Sequence, residues 1–190
     1  AASHVACSGV FGKPRRRRRG CFAVRRGSEN VRIAGCPWRL YWLVAEALPG
    51  RGQDRVGWSA SADGLTLQLA DGAGGMAGGG RAADGAIAAR RGRTGADARV
   101  AARASDARGE NGGETTLVHL VVRAGRPLEV EGLSVGDSEA WCRDRHGWSE
   151  LTQGQRRKPL LGSGRARPVP FRSEERRVGK SVDHSGRPIN

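Results

Sequence analysis

The chain has 190 residues, of which only 34 are Leu, Ile, Val or Phe, and it carries a formal net charge of +14. That balance argues against a large apolar core and predicts a mostly disordered or irregular chain: ordering each backbone residue costs about 1–2 kcal/mol, and small side chains return little of it. No apolar run approaches the length of a membrane-spanning helix, and the basic balance predicts nonspecific attraction to polyanions such as RNA and DNA, with no specific partner.

Taken in chain order, residues 1–36 read as a basic irregular segment containing the run Arg15 to Arg19. Ala1 to Val10 is too short for the apolar region of a signal peptide, so none is expected. Trp38 to Leu48 is the most apolar stretch; Pro37 before it and Pro49-Gly50 after it predict a short helix over about 38–48, with Leu40, Leu43, Val44 and Ala47 on one stripe. Leu65 to Leu69 alternates like a strand between the turn formers Asp63-Gly64 and Asp71-Gly72. Together, 37–70 reads as a short helix and a strand. Residues 71–114 are Gly/Ala/Arg low-complexity sequence, expected as frayed helix or coil, because Gly85, Gly92 and Gly95 each cost a helix about 1 kcal/mol. Thr115 to Val122 and Leu128 to Val135 predict a β-hairpin at about 115–135, within a region spanning 115–148. Residues 149–171 are polar and proline-spotted and read as linker. At most, then, a small α+β patch is expected in an otherwise irregular chain.

Several patterns imitate functional sites. Gly72-x-Gly74-x-x-Ala77 follows directly on the Leu65–Leu69 strand, as a dinucleotide-binding turn would, and Asp97 lies near the ribose-binding distance. The helix such a site requires would begin with Gly78-Gly79-Gly80, which resists helix, and the fold would need a parallel sheet. Gly179-Lys180-Ser181 imitates the end of a phosphate loop, but Glu174 stands where the earlier glycine belongs. His4-x-x-Cys7 and Cys142-x-x-x-His146 offer zinc-type ligands, yet a long Gly-rich region separates them and they read as accidental pairs. The four cysteines (7, 21, 36 and 142) fit no recognisable disulfide framework. His119 reads as a strand residue without a partner, and Asp144 between Arg143 and Arg145 is held ionised. The Arg15, Arg16, Arg17, Arg18, Arg19 run suits phosphate binding, with Trp38, Tyr41 and Trp42 available to stack on bases.

Gly, Ala and Arg make up 86 of the 190 residues, and Arg outnumbers Lys 30 to 3. All three abundant residues have GC-rich codons, and folding physics gives no reason for the Arg to Lys ratio. Arg172 to Lys180 (R-S-E-E-R-R-V-G-K) resembles one translated frame of an Illumina-type sequencing adapter at all nine positions; with one base deleted, eight of the twelve residues from Gly179 to Asn190 continue the match. The resemblance implies that 172–190 is an adapter-like tail to be set aside from the fold. On this reading the chain is a translation of GC-rich DNA running into adapter, with no evolved biochemical function, no enzyme activity and no cofactor, catalytic or metal site. The alternative is an Arg/Gly-rich segment binding nucleic acid nonspecifically through Arg15 to Arg19. A lesser alternative is a fragment of a dinucleotide-binding enzyme.

Overall fold

Leu117-Val-His-Leu-Val-Val-Arg123 is rich in β-branched and aliphatic residues, and six of its seven side chains are buried. A strand apolar on both faces belongs in the middle of a sheet covered on both sides. The computed structural model, which describes residues 4–8, 23–33, 35–46, 52–62, 64–73, 78–88, 113–123, 129–144, 147–155 and 158–173, places it there. In chain order the elements are β1 (His4–Ser8), β2 (Ala23–Ile33), β3 (Cys36–Glu46), β4 (Arg55–Ala60), β5 (Gly64–Ala70), α1 (Gly79–Ala88), β6 (Leu117–Arg123), β7 (Glu129–Val135), β8 (Glu139–Asp144), β9 (Gly147–Glu150) and β10 (Val169–Arg172).

The central sheet has the strand order β10-β7-β6-β5-β4, and every neighbouring pair is antiparallel. Successive side chains point to opposite faces, and the sheet sorts them accordingly. On one face Leu65, Val118, Leu120, Val122, Val130 and Phe171 meet Val31 and Ile33 of β2 and Ala140 of β8. On the other, Ala70, Leu117, Leu133 and Val135 meet Ala83, Ala86 and Ile87 of α1, with Leu161. The result is a helix on one side of a β-sheet and further β-structure on the other. That second β-layer comprises the β2-β3 hairpin and the sheet β1-β8-β9.

The expectation of a mostly irregular chain is thus overturned. Residues 38–46 do not form the helix expected over about 38–48, of which 47 and 48 lie outside the described residues. The segment is β3, paired residue by residue with β2 from Ile33↔Cys36 to Ala23↔Glu46. A period of two puts Trp38, Leu40, Trp42 and Val44 on one face and leaves Tyr41 and Leu43 on the other, whereas the helical stripe would bury Leu43, which is 59% exposed. The basic N-terminal segment contributes β1 and β2, and the Gly/Ala-rich segment contributes α1. Within 149–171, read as linker, Leu160, Leu161 and Phe171 are buried, and Val169–Phe171 form most of β10, which ends at Arg172 of the adapter-like tail. The expected hairpin at about 115–135 is β6-β7, but set within a five-stranded sheet instead of standing alone. Among the described residues no helix is long and apolar enough to cross a membrane.

The low count of large apolar residues misled because much of the packing is done by close approach. A Cβ at Gly132 would overlap the His119 carbonyl oxygen and the Phe171 ring, so Gly132 lets Phe171 lie flat across β7. Ala83 and Ala86 let α1 sit close to the sheet. Leu120 is fully buried at the centre. Leu120→Ala is expected to destabilise the protein by about 2–5 kcal/mol, measured as a lowered midpoint in urea. Tyr41→Ala, at an exposed position, should change stability by no more than about 0.5 kcal/mol.

Candidate active site

Antiparallel pairing with Arg55 opposite Ala70 brings Asp54, just before β4, and Asp71, just after β5, out at the same end of the sheet. Leu117 lies opposite Val135 in the β6-β7 pair, so Thr115-Thr116 and the turn Gly136-Asp137-Ser138 reach that end too. Gly136 has φ of 93°, a left-handed conformation that favours glycine, and a Cβ there would come within 2.8 Å of Thr116 Cγ2.

The backbone of Asp71 is held on both sides. Its amide donates to Thr116 Oγ1 (3.0 Å), while its carbonyl accepts from the Thr116 amide (2.9 Å) and from Thr115 Oγ1 (2.9 Å). Thr116 Oγ1 in turn shares a 2.6 Å hydrogen bond with Ser138 Oγ, tying the segment to the Asp137 turn. Arg55 fixes the third segment. Its Nη1 donates to the carbonyls of Gly52 and Asp54 at 3.0 Å each, and its Nε and Nη2 donate to the Asp84 carboxylate of α1 at 2.6 and 3.3 Å.

The electrostatics follow from that convergence. Burial raises the Asp71 carboxyl to about 7, helped by a hydrogen bond with Asp54, by the Asp54 charge and by the charge of Asp137. A hydrogen bond between two carboxyl groups requires a proton, so the pair holds one between them until it is displaced. Beside them, Gln53 Oε1 is buried without a hydrogen-bond partner. Among the described residues no three His, Cys, Asp or Glu side chains stand close enough to cage a metal ion unaided. The hard oxygens of Asp54 and Asp71 fit a divalent cation of the magnesium type, which binds through one or two carboxylates and completes its shell with water or phosphate oxygens.

The structure distributes the sequence candidates differently. Arg15 to Arg19, Gly74, Ala77, Asp97, His146 and Gly179 to Ser181 lie outside the described residues. The dinucleotide reading fails because β5 pairs antiparallel with both β4 and β6, where a parallel sheet was required. The helix nevertheless begins at Gly79-Gly80, and position 79 requires glycine because Gln53 Oε1 and the Ala73 carbonyl leave no room for a side chain. The His4–Cys7 segment is not remote from Cys142 as expected: β1 pairs with β8, and Val5 lies opposite Cys142. His119 is buried on the α1 face of β6, 3.3 Å by its Nδ1 from Gln68 Nε2.

Sequence reasoning missed Asp54, Asp71 and Asp137. The available signal was an Asp next to a strand end in each case, and Asp71 had been read only as a turn former.

No family model matches the chain, and no curated protein matches it by sequence. Among solved structures it is similar to a bacterial serine phosphatase, with a TM-score of 0.53 and 18% identity, over 64% of this chain and 66% of that one. It is also similar to the serine/threonine phosphatase Stp1 from Staphylococcus aureus, with a TM-score of 0.52 and 14% identity, over 84% of this chain and 74% of that one. The chain thus spans 66% of the length of the first of these neighbours. The likeness is one of fold. It overturns the expectation of a spurious, non-enzymatic chain, because an unselected translation has no reason to arrange its strands as a known enzyme family does.

The Asp71 shift has a consequence for stability. Below about pH 4 both folded and unfolded chains hold this proton. Between the unfolded value of 3.8 and the folded value of about 7 only the folded chain keeps it, so stability falls as pH rises through that window. In a chelator, the thermal midpoint of the wild-type protein should fall relative to that of Asp71→Asn from pH 4 to pH 7.5. A constant difference between the two would show that Asp71 titrates normally.

Proposed function

We propose that the chain is the body of a divalent-cation-assisted phosphomonoester hydrolase acting on phosphoserine or phosphothreonine. The observation that carries this reading is the Asp54–Asp71 carboxyl pair, sharing a proton near neutral pH at the strand ends of a fold that serine phosphatases also have. Two carboxyl groups driven together, with a third close enough to be felt, relieve their repulsion by keeping a proton or by taking up a cation in its place.

A divalent cation bound there would polarise a phosphoryl oxygen and lower the pKa of a bound water. The residues of the chain do the rest. Asp71 and Asp54 present fixed anionic oxygens, and the Asp71 backbone is pinned by Thr115 and Thr116. Asp137 adds negative charge from the β7 end. Arg55 holds the Gly52–Asp54 turn to α1 through its carbonyl and Asp84 contacts, which fixes the backbone that carries Asp54.

Hydrolysis of p-nitrophenyl phosphate and of a phosphoserine peptide, with magnesium or manganese and with chelator, tests the proposal. Cation-dependent turnover is expected, and Asp71→Asn should lower kcat/KM by about 10²–10³-fold, as loss of a charge-stabilising group does. Arg55→Ala should weaken the cation requirement curve by about 10–100-fold, as removal of an outer supporting partner does. Absence of turnover with any divalent cation, or wild-type turnover in Asp71→Asn, would sink the reading.

The adapter resemblance of 172–190 is compatible with this body. Phe171 is a core residue packed on Gly132, which supports a correct reading frame up to that point. The first two tail residues still follow the sheet: Arg172 ends β10 opposite Glu131 and adds an exposed ion pair to it at 3.1 Å, of a kind contributing about 0–1 kcal/mol, and Ser173 exchanges hydrogen bonds with the Val130 backbone at 2.8 and 3.0 Å. Genomic and transcript sequence across the codons for Pro170 to Gly179 should depart from this chain at Arg172. An intact junction in both would show the tail to be native.

A further inference from the structure

β2 and β3 pair with each other and, among the described residues, with no third strand. Their register puts Arg26, Ser28, Asn30 and Arg32 of β2 on the same face as Pro37, Arg39, Tyr41 and Leu43 of β3. All eight are exposed, and Tyr41 and Leu43, at 67% and 59%, are two of the three large hydrophobics that the described residues leave in solvent. The opposite face carries Val31, Ile33 and Val44 into the protein. The outward face therefore combines three arginines with an aromatic and an aliphatic side chain, and it contains no acid.

The face is also shaped. An open hollow of about 520 Å³ is lined by Arg26, Ser28, Tyr41 and Leu43 of this face together with Gly27 and Trp42 of the other. Gly27 and Trp42 belong to the hairpin's other face, where a Cβ at Gly27 would stand 2.6 Å from Trp42 Cζ2, so glycine lets the indole lie across β2. The Arg39 guanidinium sits over the Tyr41 ring, 5.3 Å from its centroid, which holds one cation at the rim of the hollow.

We propose that this face docks an extended acidic peptide segment of a partner protein in which carboxylate side chains flank an apolar one. Arginine forks grip carboxylates through paired hydrogen bonds, Tyr41 and Leu43 offer contact to the apolar side chain, and strand edges without a neighbour accept an added strand. Single-stranded nucleic acid fits less well. It needs successive exposed rings, whereas Tyr41 is the one aromatic on this face and Arg39 already covers a side of its ring. The proposal does not depend on the phosphatase reading, because binding is measured without turnover.

The test uses the full chain in chelator, with fluorescence anisotropy of a labelled peptide alternating Asp or Glu with Leu. Comparison probes are the same peptide with Ser for Leu, a Lys-for-acid version and an oligothymidylate. The acidic-apolar peptide should bind more tightly than every comparison probe at physiological salt. Arg26→Glu combined with Arg39→Glu should weaken it by at least about tenfold through lost and reversed charge, and Leu43→Ser by several-fold. Asp71→Asn should bind as the wild type does, which separates this surface from the carboxylate site. Tighter binding of the oligonucleotide, equal binding of the Ser-containing peptide, or indifference to the charge reversal would each overturn the proposal. The peptide series on wild-type protein decides the matter even if a variant fails to fold.

Discussion

Asp71 cannot retreat from Asp54. Its amide and its carbonyl are both engaged by Thr115 and Thr116, one strand away, and its strand is locked between β4 and β6. The two carboxyl groups are therefore brought together by the hydrogen bonding of the sheet, which outweighs their mutual repulsion. A proton or a cation must settle the difference. The geometry of the site follows from this constraint, including the Arg55 contacts to the Gly52–Asp54 turn and the left-handed Gly136 that swings Asp137 and Ser138 back towards Thr116.

What could be read in the sequence was local. The alternation in Leu65–Leu69 and the hairpin signal around 115–135 are properties of neighbouring residues, and β5, β6 and β7 appear where those signals lie. The β3 segment was misjudged because an eleven-residue apolar run fits either period when taken alone. Its partner β2 decides the question, and β2 is an arginine-bearing stretch with few strand formers. The site was hidden for a related reason. Asp54, Asp71 and Asp137 are far apart in sequence, and each resembles an ordinary residue at a strand end. Only the pairing of β4, β5, β6 and β7 makes them neighbours.

The charge of the chain also means something different in the structure. A net excess of arginine first suggests a solvated or polyanion-binding tail, yet several arginines have definite structural tasks. Arg55 joins two segments to α1, while Arg123 and Arg172 converge on Glu131 from the strands on either side of it. These two partners outweigh the cost of partial burial and hold the Glu131 carboxyl below its usual range. Others line the outward face of β2-β3, where charge and exposed apolar surface occur together.

Glycine and alanine sit at several of the closest approaches of the backbone. Gly113 abuts Gly78, Gly162 abuts Gly113, and Ala83 and Ala86 bring α1 down onto the sheet. At such positions the fold demands the smallest residues, and the codons for glycine and alanine are among the richest in G and C. Mutational drift of a genome towards GC would thus press on these sites in the direction that packing already favours. The sequence can come to resemble low-complexity text while its fold survives, and the selective load of such drift would fall on the large aliphatic positions of β6 and β7.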